Sequence, residues 1–144
     1  SLAPIAGLSK PFILQWLKWA EKNLGHYGLK AVNNLQPTAE LRPLETNQTD
    51  EADLMPYTVL TEIEKHAIQQ RKSPIQVLEA MKDSHDPTQL KNHVRKFFSM
   101  WAASQWKRER LAPSFHLDDI NVDPRSWCRF PILSSGFAEE LAKL

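Results

Sequence analysis

A cluster of cations and an indole lies near the end of the most regular apolar pattern in the chain. The stretch Trp106-Lys107-Arg108-Glu109-Arg110 carries three bases within five residues. Arginine makes planar, bidentate contacts with phosphate or carboxylate groups, and tryptophan offers a flat face for stacking. The same bases also suit the negative end of a helix dipole. The pattern therefore indicates either an anion-binding surface or an ordinary helix C-terminus, and it favours neither.

Lys10 is a second cation with a chemical interpretation, because it stands between an apolar turn and a predicted helix start. A compact ammonium beside a helix N-terminus lies where phosphate groups bind. The alternative is a solvated lysine. The chain has only four glycines and no glycine-rich phosphate loop. If the chain handles a nucleotide, the main phosphate-binding loop must therefore lie elsewhere.

The remaining reactive residue types form no recognisable site. His116, Asp118 and Asp119 bring an imidazole close to two carboxylates, but their spacing matches no metal-binding pattern, and the aspartates fit a turn or cap better. Cys128 has no identifiable base nearby, so a small buried apolar role is favoured over a nucleophile. The sequence predicts no metal site.

Charge is divided unevenly along the chain, although the formal net charge is only +1. Residues 38–64 contain seven acids and one base, whereas residues 91–110 contain six bases and one acid. The segment Pro37–Tyr57 lies in the acidic part and has no apolar periodicity, which predicts a weakly packed loop. Opposite fields of this kind can pair within one chain, across a dimer, or around an anion and its metal.

Capping residues and helical spacing mark the elements that must position these groups. Ser9 with Pro11 starts a helix that Gly25 ends, and a second helix runs from about Tyr57 to Gln70. Ser73-Pro74-Ile75-Gln76 has the chemistry of a capping box and opens a short helix. Asp86-Pro87-Thr88-Gln89 opens the best helix, which forms a long basic helix over residues 87–110.

The rest of the chain has weaker signals. Ser134 or Ser135 can cap a short last helix through Ala142, and residues 111–144 otherwise predict an irregular tail. No segment alternates convincingly, and the best strand candidate is Leu29–Val32. The prediction is one mainly helical domain with at most one or two short strands.

The bulk properties exclude several protein classes. The chain has 144 residues, one cysteine and no apolar run long enough to span a membrane. A single thiol fits a reducing cytosol, and the near-zero net charge gives no general argument for nucleic acid. The sequence therefore predicts a cytoplasmic protein. Since no initiator Met is present, Ser1 is expected to be a boundary within something longer.

Four segments, in order, resemble the second half of the NAD synthetase domain. They are Leu2–Lys10 (LAPIAGLSK), Pro37–Leu41 (PTAEL), Gln48–Leu54 (QTDEADL) followed by Tyr57, and the basic stretch from Trp106 to His116. The tail, with Arg125 and Trp127–Leu133, is most similar to the glutamine-dependent members. The resemblance covers nearly the whole chain, so residues 1–144 are expected to form the C-terminal portion of that domain.

The resemblance implies a ligase that converts deamido-NAD to NAD through an acyl-adenylate, using ATP, Mg²⁺ and ammonia from glutamine. It implies an α/β parent fold of the adenine nucleotide α-hydrolase type, with a parallel sheet and flanking helices, and a homodimer. The ATP loop, the Mg²⁺-binding glutamate and the glutaminase domain are all expected upstream of Ser1. The chain alone is therefore expected to be inactive.

The resemblance also assigns roles to individual residues. Lys10 and Thr38 match ATP-contacting positions, and Pro37–Tyr57 matches a mobile loop that closes over ATP. Trp106 and Lys107 match a His-Lys pair that contacts deamido-NAD, with stacking expected where Trp106 replaces the histidine. Asp50 and Glu51 match an acidic pair, for which we expect a role in loop position or in electrostatics near the metal.

Two alternatives remain open at this point. One is a small helical module whose basic helix and tryptophans bind RNA or single-stranded DNA, with the steep salt dependence typical of such binding. The other is a helical protein-interaction domain without a ligand. The acidic half of the chain does not support the nucleic-acid-binding alternative.

Overall fold

A computed structural model describes residues 1–38, 49–115, 120–125, 128–131 and 136–144 of the chain. The chain divides into two compact units. The first comprises Leu8–Tyr57, and the second combines Ser1–Gly7 with Thr58–Leu144. All regular elements in the described ranges are helical, which confirms the prediction of a mainly helical segment.

The unit Leu8–Tyr57 contains α1 (Lys10–Asn23), α2 (Leu29–Asn33) and α3 (Asp50–Asp53). The predicted start of α1 is confirmed, since the Ser9 hydroxyl accepts a hydrogen bond from the Phe12 backbone N–H at 3.4 Å. Its predicted end is confirmed as well, because Gly25 follows the last turn with a φ of +69° that suits glycine.

The strand prediction for Leu29–Val32 is wrong, because these residues form α2. The side chain of Asn33 explains the helix, since its Nδ2 donates to the Leu17 carbonyl at 3.3 Å and to Glu21 at 2.7 Å on α1. A short apolar stretch cannot reveal such a contact, and tertiary packing overrides weak local preference.

The second unit contains the remaining helices. They are α4 (Tyr57–Glu64), whose first residue belongs to the other unit, the π-helix π1 (Lys65–Gln69), α5 (Pro74–Met81), α6 (Pro87–Ala103), α7 (Gln105–Arg108) and α8 (Ala138–Leu141). α4 and π1 together match the helix predicted from Tyr57 to Gln70. The most buried apolar side chains of this unit include Ile63, Val77, Met81, Leu90, Val94 and Phe98.

Both predicted capping signals are confirmed. Ser73 and Gln76 form a capping box at the start of α5. The Asp86 carboxylate accepts a hydrogen bond from the Gln89 backbone N–H at 2.8 Å at the start of α6. The short last helix falls at Ala138–Leu141, while Ser134 and Ser135 lie outside the described residues.

The prediction of one continuous helix over residues 87–110 is wrong. α6 ends at Ala103, and Ser104 separates it from the single turn of α7. The Gln105 side chain donates to the Trp101 carbonyl at 2.6 Å, which satisfies a backbone acceptor of the last turn of α6. Arg108, one turn later, is 5% exposed and binds residues of the tail, so the chain leaves the axis of α6 to bury this side chain.

Glu64, at the end of α4, is expected to make stability depend on pH. Burial raises the pKa of its carboxyl to about 7. The folded state therefore binds a proton that the unfolded state has released, so stability falls as the pH rises from about 4.5 through 7. We expect a loss of roughly 2–3 kcal/mol between about pH 5 and pH 8 from this residue. Urea unfolding at both pH values should show that Glu64→Gln removes this loss.

The exposed Glu79, which pairs with Lys82 on the surface, provides the matched control. Glu79→Gln should leave the pH dependence of the wild type unchanged. Equal pH dependence in the two variants would show that Glu64 does not titrate abnormally in the folded chain.

Candidate functional site

Lys10, Asp50 and Tyr57 meet within the unit Leu8–Tyr57. The Lys10 ammonium forms an ion pair with the Asp50 carboxylate, although forty residues separate them in the sequence. The Tyr57 hydroxyl donates a hydrogen bond to the same carboxylate at 3.2 Å. The cluster joins a cation at the start of α1 to an acid at the start of α3. Lys10 belongs to the motif Leu2–Lys10, and Asp50 belongs to the motif Gln48–Leu54.

Local capping chemistry places the Asp50 carboxylate. The Thr49 hydroxyl accepts a hydrogen bond from the Ala52 backbone N–H at 3.2 Å and so begins α3 at Asp50. The Glu51 carboxylate accepts a hydrogen bond from the Tyr57 backbone N–H at 2.7 Å. The two acids of this pair therefore have different partners: Asp50 binds Lys10, and Glu51 binds the first backbone N–H of α4.

The ionisation states follow from these contacts. The hydrogen bond to Asp50 raises the pKa of Lys10, and the same bond lowers the pKa of Asp50. Burial is the main reason that the pKa of the Tyr57 phenol is raised. Lys10 is therefore a fixed cation and not a proton acceptor at neutral pH, which suits electrostatic binding of an anion.

Thr38 belongs to the same unit as this cluster and directly follows Pro37. The Asp50 backbone N–H donates to the Pro37 carbonyl at 3.2 Å, which connects the first residue of the predicted loop Pro37–Tyr57 to the start of α3. Thr38 is half-buried and has further interactions of its own. Residues 39–48, the middle of that predicted loop, lie outside the described residues.

Trp106 and Lys107 lie on the surface of the other unit. Trp106 is 50% exposed, and the Lys107 ammonium and Arg110 guanidinium lie 5.8 Å and 5.0 Å from the centre of its ring. Arg108 lies between them in the sequence but points inward. The predicted cluster of cations is thus divided between two exposed bases on an indole and one buried arginine.

Arg108 is a residue whose role the sequence did not reveal. Its Nε donates to the Val122 carbonyl at 2.7 Å, and its other nitrogens bond to the Gln105 side chain and the Cys128 carbonyl. Its guanidinium carbon lies 5.0 Å from the centre of the Trp101 ring. These partners lie up to twenty residues away, so no local pattern could signal that this base is structural.

Cys128 and Arg125 are other residues that the sequence suggests as candidates, and both lie within the described ranges. Cys128 is half-buried, and burial raises the pKa of its thiol, which argues against a thiolate nucleophile. His116, Asp118 and Asp119 lie outside the described residues, as does Trp127. Arg125 binds Asp123 through two nitrogens, at 2.8 Å and 2.9 Å, and also donates to the Leu111 carbonyl at 2.9 Å, which connects this part of the tail to residue 111.

Proteins of known structure include one that is similar to this chain over nearly its whole length. A crystal structure of a glutamine-dependent NAD(+) synthetase from Cytophaga hutchinsonii is 51% identical and superimposes with a TM-score of 0.81 over 99% of this chain. The chain belongs to the glutamine-dependent NAD(+) synthetase family. It spans 22% of that synthetase. No protein-family model matches the sequence.

Curated eukaryotic sequences agree with this assignment. Glutamine-dependent NAD(+) synthetases from Drosophila melanogaster and Dictyostelium discoideum are 30% and 31% identical over 139 and 126 residues. These matches cover 90% and 83% of this chain but only 18% of either relative. The chain thus spans about a fifth of the length of the NAD(+) synthetases that it matches, and the family resemblance seen in its motifs is confirmed.

The described ranges contain neither a metal-binding cluster nor a membrane-spanning helix. Those residues contain no group of three or more His, Cys, Asp or Glu side chains that could hold a metal ion. None of the helices found there has the length and apolar character required to cross a bilayer.

Proposed function

We propose that this chain forms the C-terminal part of the synthetase domain of a glutamine-dependent NAD(+) synthetase, within an α/β parent fold. The observation that carries the proposal is the 51% identity to such a synthetase over 99% of the chain. The whole enzyme would amidate deamido-NAD in the cytoplasm. The parent chain would supply the glutaminase domain, and the enzyme would act as a homodimer.

The reaction explains why cations are needed. The nicotinate carboxylate attacks the α-phosphorus of ATP and expels pyrophosphate, which gives an acyl-adenylate. Ammonia from glutamine then attacks the acyl carbon, AMP leaves, and the nitrogen loses a proton to give the amide. Negative charge develops on phosphate oxygens in the first step, and fixed cations stabilise it.

Lys10 and Thr38 are the proposed ATP-binding residues of this chain. Lys10 is a half-exposed, permanently charged ammonium at the start of α1, and its partner Asp50 belongs to the proposed ATP-covering loop Pro37–Tyr57. A lysine ammonium has three N–H donors, so Lys10 would bind an ATP phosphate and Asp50 together, and ATP binding would hold the loop in place. Asp50 and Glu51 would therefore help to position the loop Pro37–Tyr57.

A Mg²⁺ ion does not fit the described residues of this chain. Asp50 is held by Lys10 and Tyr57, Glu51 is held by the Tyr57 backbone, and the described part of the chain offers no group of ligands. Magnesium would therefore be held by the rest of the synthetase domain. We therefore do not propose an electrostatic role near the metal for Asp50 and Glu51.

Trp106 and Lys107 are the proposed contacts to deamido-NAD. The exposed indole can stack on a ring of the dinucleotide, and the adjacent ammonium can meet its phosphates or carboxylate. A separate nucleic-acid-binding function is not favoured, because the family match accounts for nearly the whole chain.

Hydrogen exchange in a full-length synthetase that contains this segment tests the proposal. A non-hydrolysable ATP analogue should protect the backbone amides of residues 49–57 at least tenfold, while amides of α5 serve as the unaffected control. The 144-residue chain alone should form no NAD from ATP, deamido-NAD and ammonia. Turnover by the chain alone, or unchanged exchange in residues 49–57, would contradict the proposal.

A further inference from the structure

A cavity of about 390 Å³ opens in the unit that contains Thr58–Leu144. It lies between π1, the turn that leads into α5, the second half of α6 and the tail segment Cys128–Pro131. None of the proposed ATP-binding or deamido-NAD-binding residues lines it. Its volume is in the range of pockets that bind small organic molecules.

Aromatic rings form the main wall of this cavity. Their contacts make a closed circuit, in which the ring centres lie 5.3, 4.7, 5.5, 6.0 and 6.4 Å apart. In that order the circuit passes through Phe97, Phe98, Phe137, Phe130 and Trp101 before it returns to Phe97. A planar aromatic ligand is the type of molecule that such a wall accommodates best, through stacked or edge-to-face contacts.

Among the described residues that line the cavity, all the charged side chains are cations. Arg71, Lys72 and Arg129 line it, and no described residue that lines it carries a carboxylate. The nearby carboxylate of Glu140 is engaged at the start of α5, where it accepts hydrogen bonds from the Ser73 hydroxyl and the Ile75 backbone N–H. The cavity is therefore complementary to an anion.

Lys72 is the cation best suited to bind that anion. Its ammonium lies 3.1 Å from Nδ1 of His66, and a lysine has three N–H donors, so this contact leaves donors for a ligand. Arg71 and Arg129 take part in other interactions of the chain and contribute mainly positive field. An aromatic cage for a quaternary ammonium would carry no such rim of cations, so a cationic ligand is disfavoured.

Two rare backbone conformations occur at the same cavity. Arg71 has a φ of +56°, which is costly for a residue with a side chain, and the residues before it form a π-helix. Ala67 and Ile68 of π1 and Arg71 itself line the cavity. Strained and irregular backbone of this kind concentrates at functional sites, where it shapes the site at a cost in stability.

We propose that this cavity binds a small planar aromatic anion, with its ring against the aromatic wall and its carboxylate or sulfonate at Lys72. The ligand class follows from the closed circuit of rings and the rim of cations. The site is distinct from the proposed nucleotide contacts of the chain.

2-Naphthoate is a suitable probe, and Cys128 reports its location. Cys128 lines the cavity and is the only cysteine of the chain, so its alkylation by iodoacetamide is an unambiguous readout. We expect 2-naphthoate to bind the 144-residue chain with a Kd of about 0.1–1 mM. At ligand concentrations well above Kd, alkylation of Cys128 should slow at least fivefold. Absence of protection at 5 mM probe would overturn the proposal.

Two controls test the anionic character of the ligand. The neutral 2-naphthalenemethanol should protect Cys128 about tenfold less effectively, and Lys72→Met should weaken 2-naphthoate binding about fivefold to tenfold. Lys82→Met, a matched change on the exposed surface of the same unit, should leave binding unchanged. Equal binding of the alcohol and the carboxylate, or equal binding by the two lysine variants, would overturn the assignment to an anion.

Discussion

Replacing Lys10 with methionine in a full-length synthetase that contains this segment is expected to raise the KM for ATP by about 10- to 100-fold. A hydrogen-bonded ammonium–phosphate contact contributes roughly 1.5–3 kcal/mol, and methionine keeps the length of the side chain without its charge. kcat should change less than KM, because a contact present in both the bound and the reacting state mainly affects binding. Steady-state kinetics with ATP as the varied substrate measures both constants.

The ion pair with Asp50 provides the decisive comparison. If Lys10 only anchored the loop Pro37–Tyr57, Asp50→Asn would have the same effect as Lys10→Met, and the double variant would be no worse than either. If Lys10 binds ATP, Asp50→Asn leaves the ammonium in place and should change the KM for ATP less than about threefold. Lys10→Arg should retain part of the affinity, and Lys18→Met on the same helix should behave as the wild type.

Helix starts that depend on local interactions can be predicted from the sequence. The starts of α1, α5 and α6 could be predicted, because the capping side chain and the backbone group that it binds are three residues apart. The same holds for Gly25, whose positive φ marks the end of α1. In each case one short stretch of sequence contains both partners of the interaction.

The secondary-structure predictions fail where a residue that is distant in the sequence decides the local conformation. α2 is a helix that Asn33 connects to α1 by hydrogen bonds, and α6 stops at Ala103, shortly before Arg108 binds the Val122 carbonyl of the tail. Neither contact leaves a trace in the periodicity of the segment itself. The cavity beside π1 was missed for the same reason, since its wall combines residues from four separate parts of the chain.

Resemblance to the family, and not the physical pattern, predicts that Lys10 contacts ATP. The sequence pattern alone fits either a solvated lysine or a phosphate-binding group, because a position beside a helix start suits both. The structure adds Asp50 and Tyr57 as its partners. Forty residues separate Lys10 from Asp50, so no local sequence pattern indicates the pair.

Arg108→Met is expected to lower the free energy of unfolding by about 3–4 kcal/mol, the largest stability effect among the variants considered. The substitution removes the donors for two carbonyl groups and a side-chain amide in a site where Arg108 is 5% exposed. Leaving buried acceptors without a partner costs roughly 1–3 kcal/mol each, partly offset where water can reach them. Urea unfolding of the 144-residue chain measures the change.

The loss should begin in the tail and not in the helical core. Arg108 holds Val122 and Cys128, which belong to two described segments of that tail, against α7. Amide exchange in residues 120–125 and 128–131 should therefore accelerate more in Arg108→Met than exchange in α6. Arg108→Lys should be nearly as destabilising, since an ammonium cannot reproduce the three-way fork of the guanidinium.

Arg110 offers the matched control for this prediction. It is exposed, lies over the Trp106 ring at 5.0 Å, and is two residues away from Arg108. Arg110→Met should cost less than about 1 kcal/mol, as expected for an exposed cation–π contact. If the two arginine variants lost equal stability, Arg108 would be one more surface base of the cluster that the sequence suggested. The division of that cluster into a buried tail anchor and an exposed pair of bases would then be wrong.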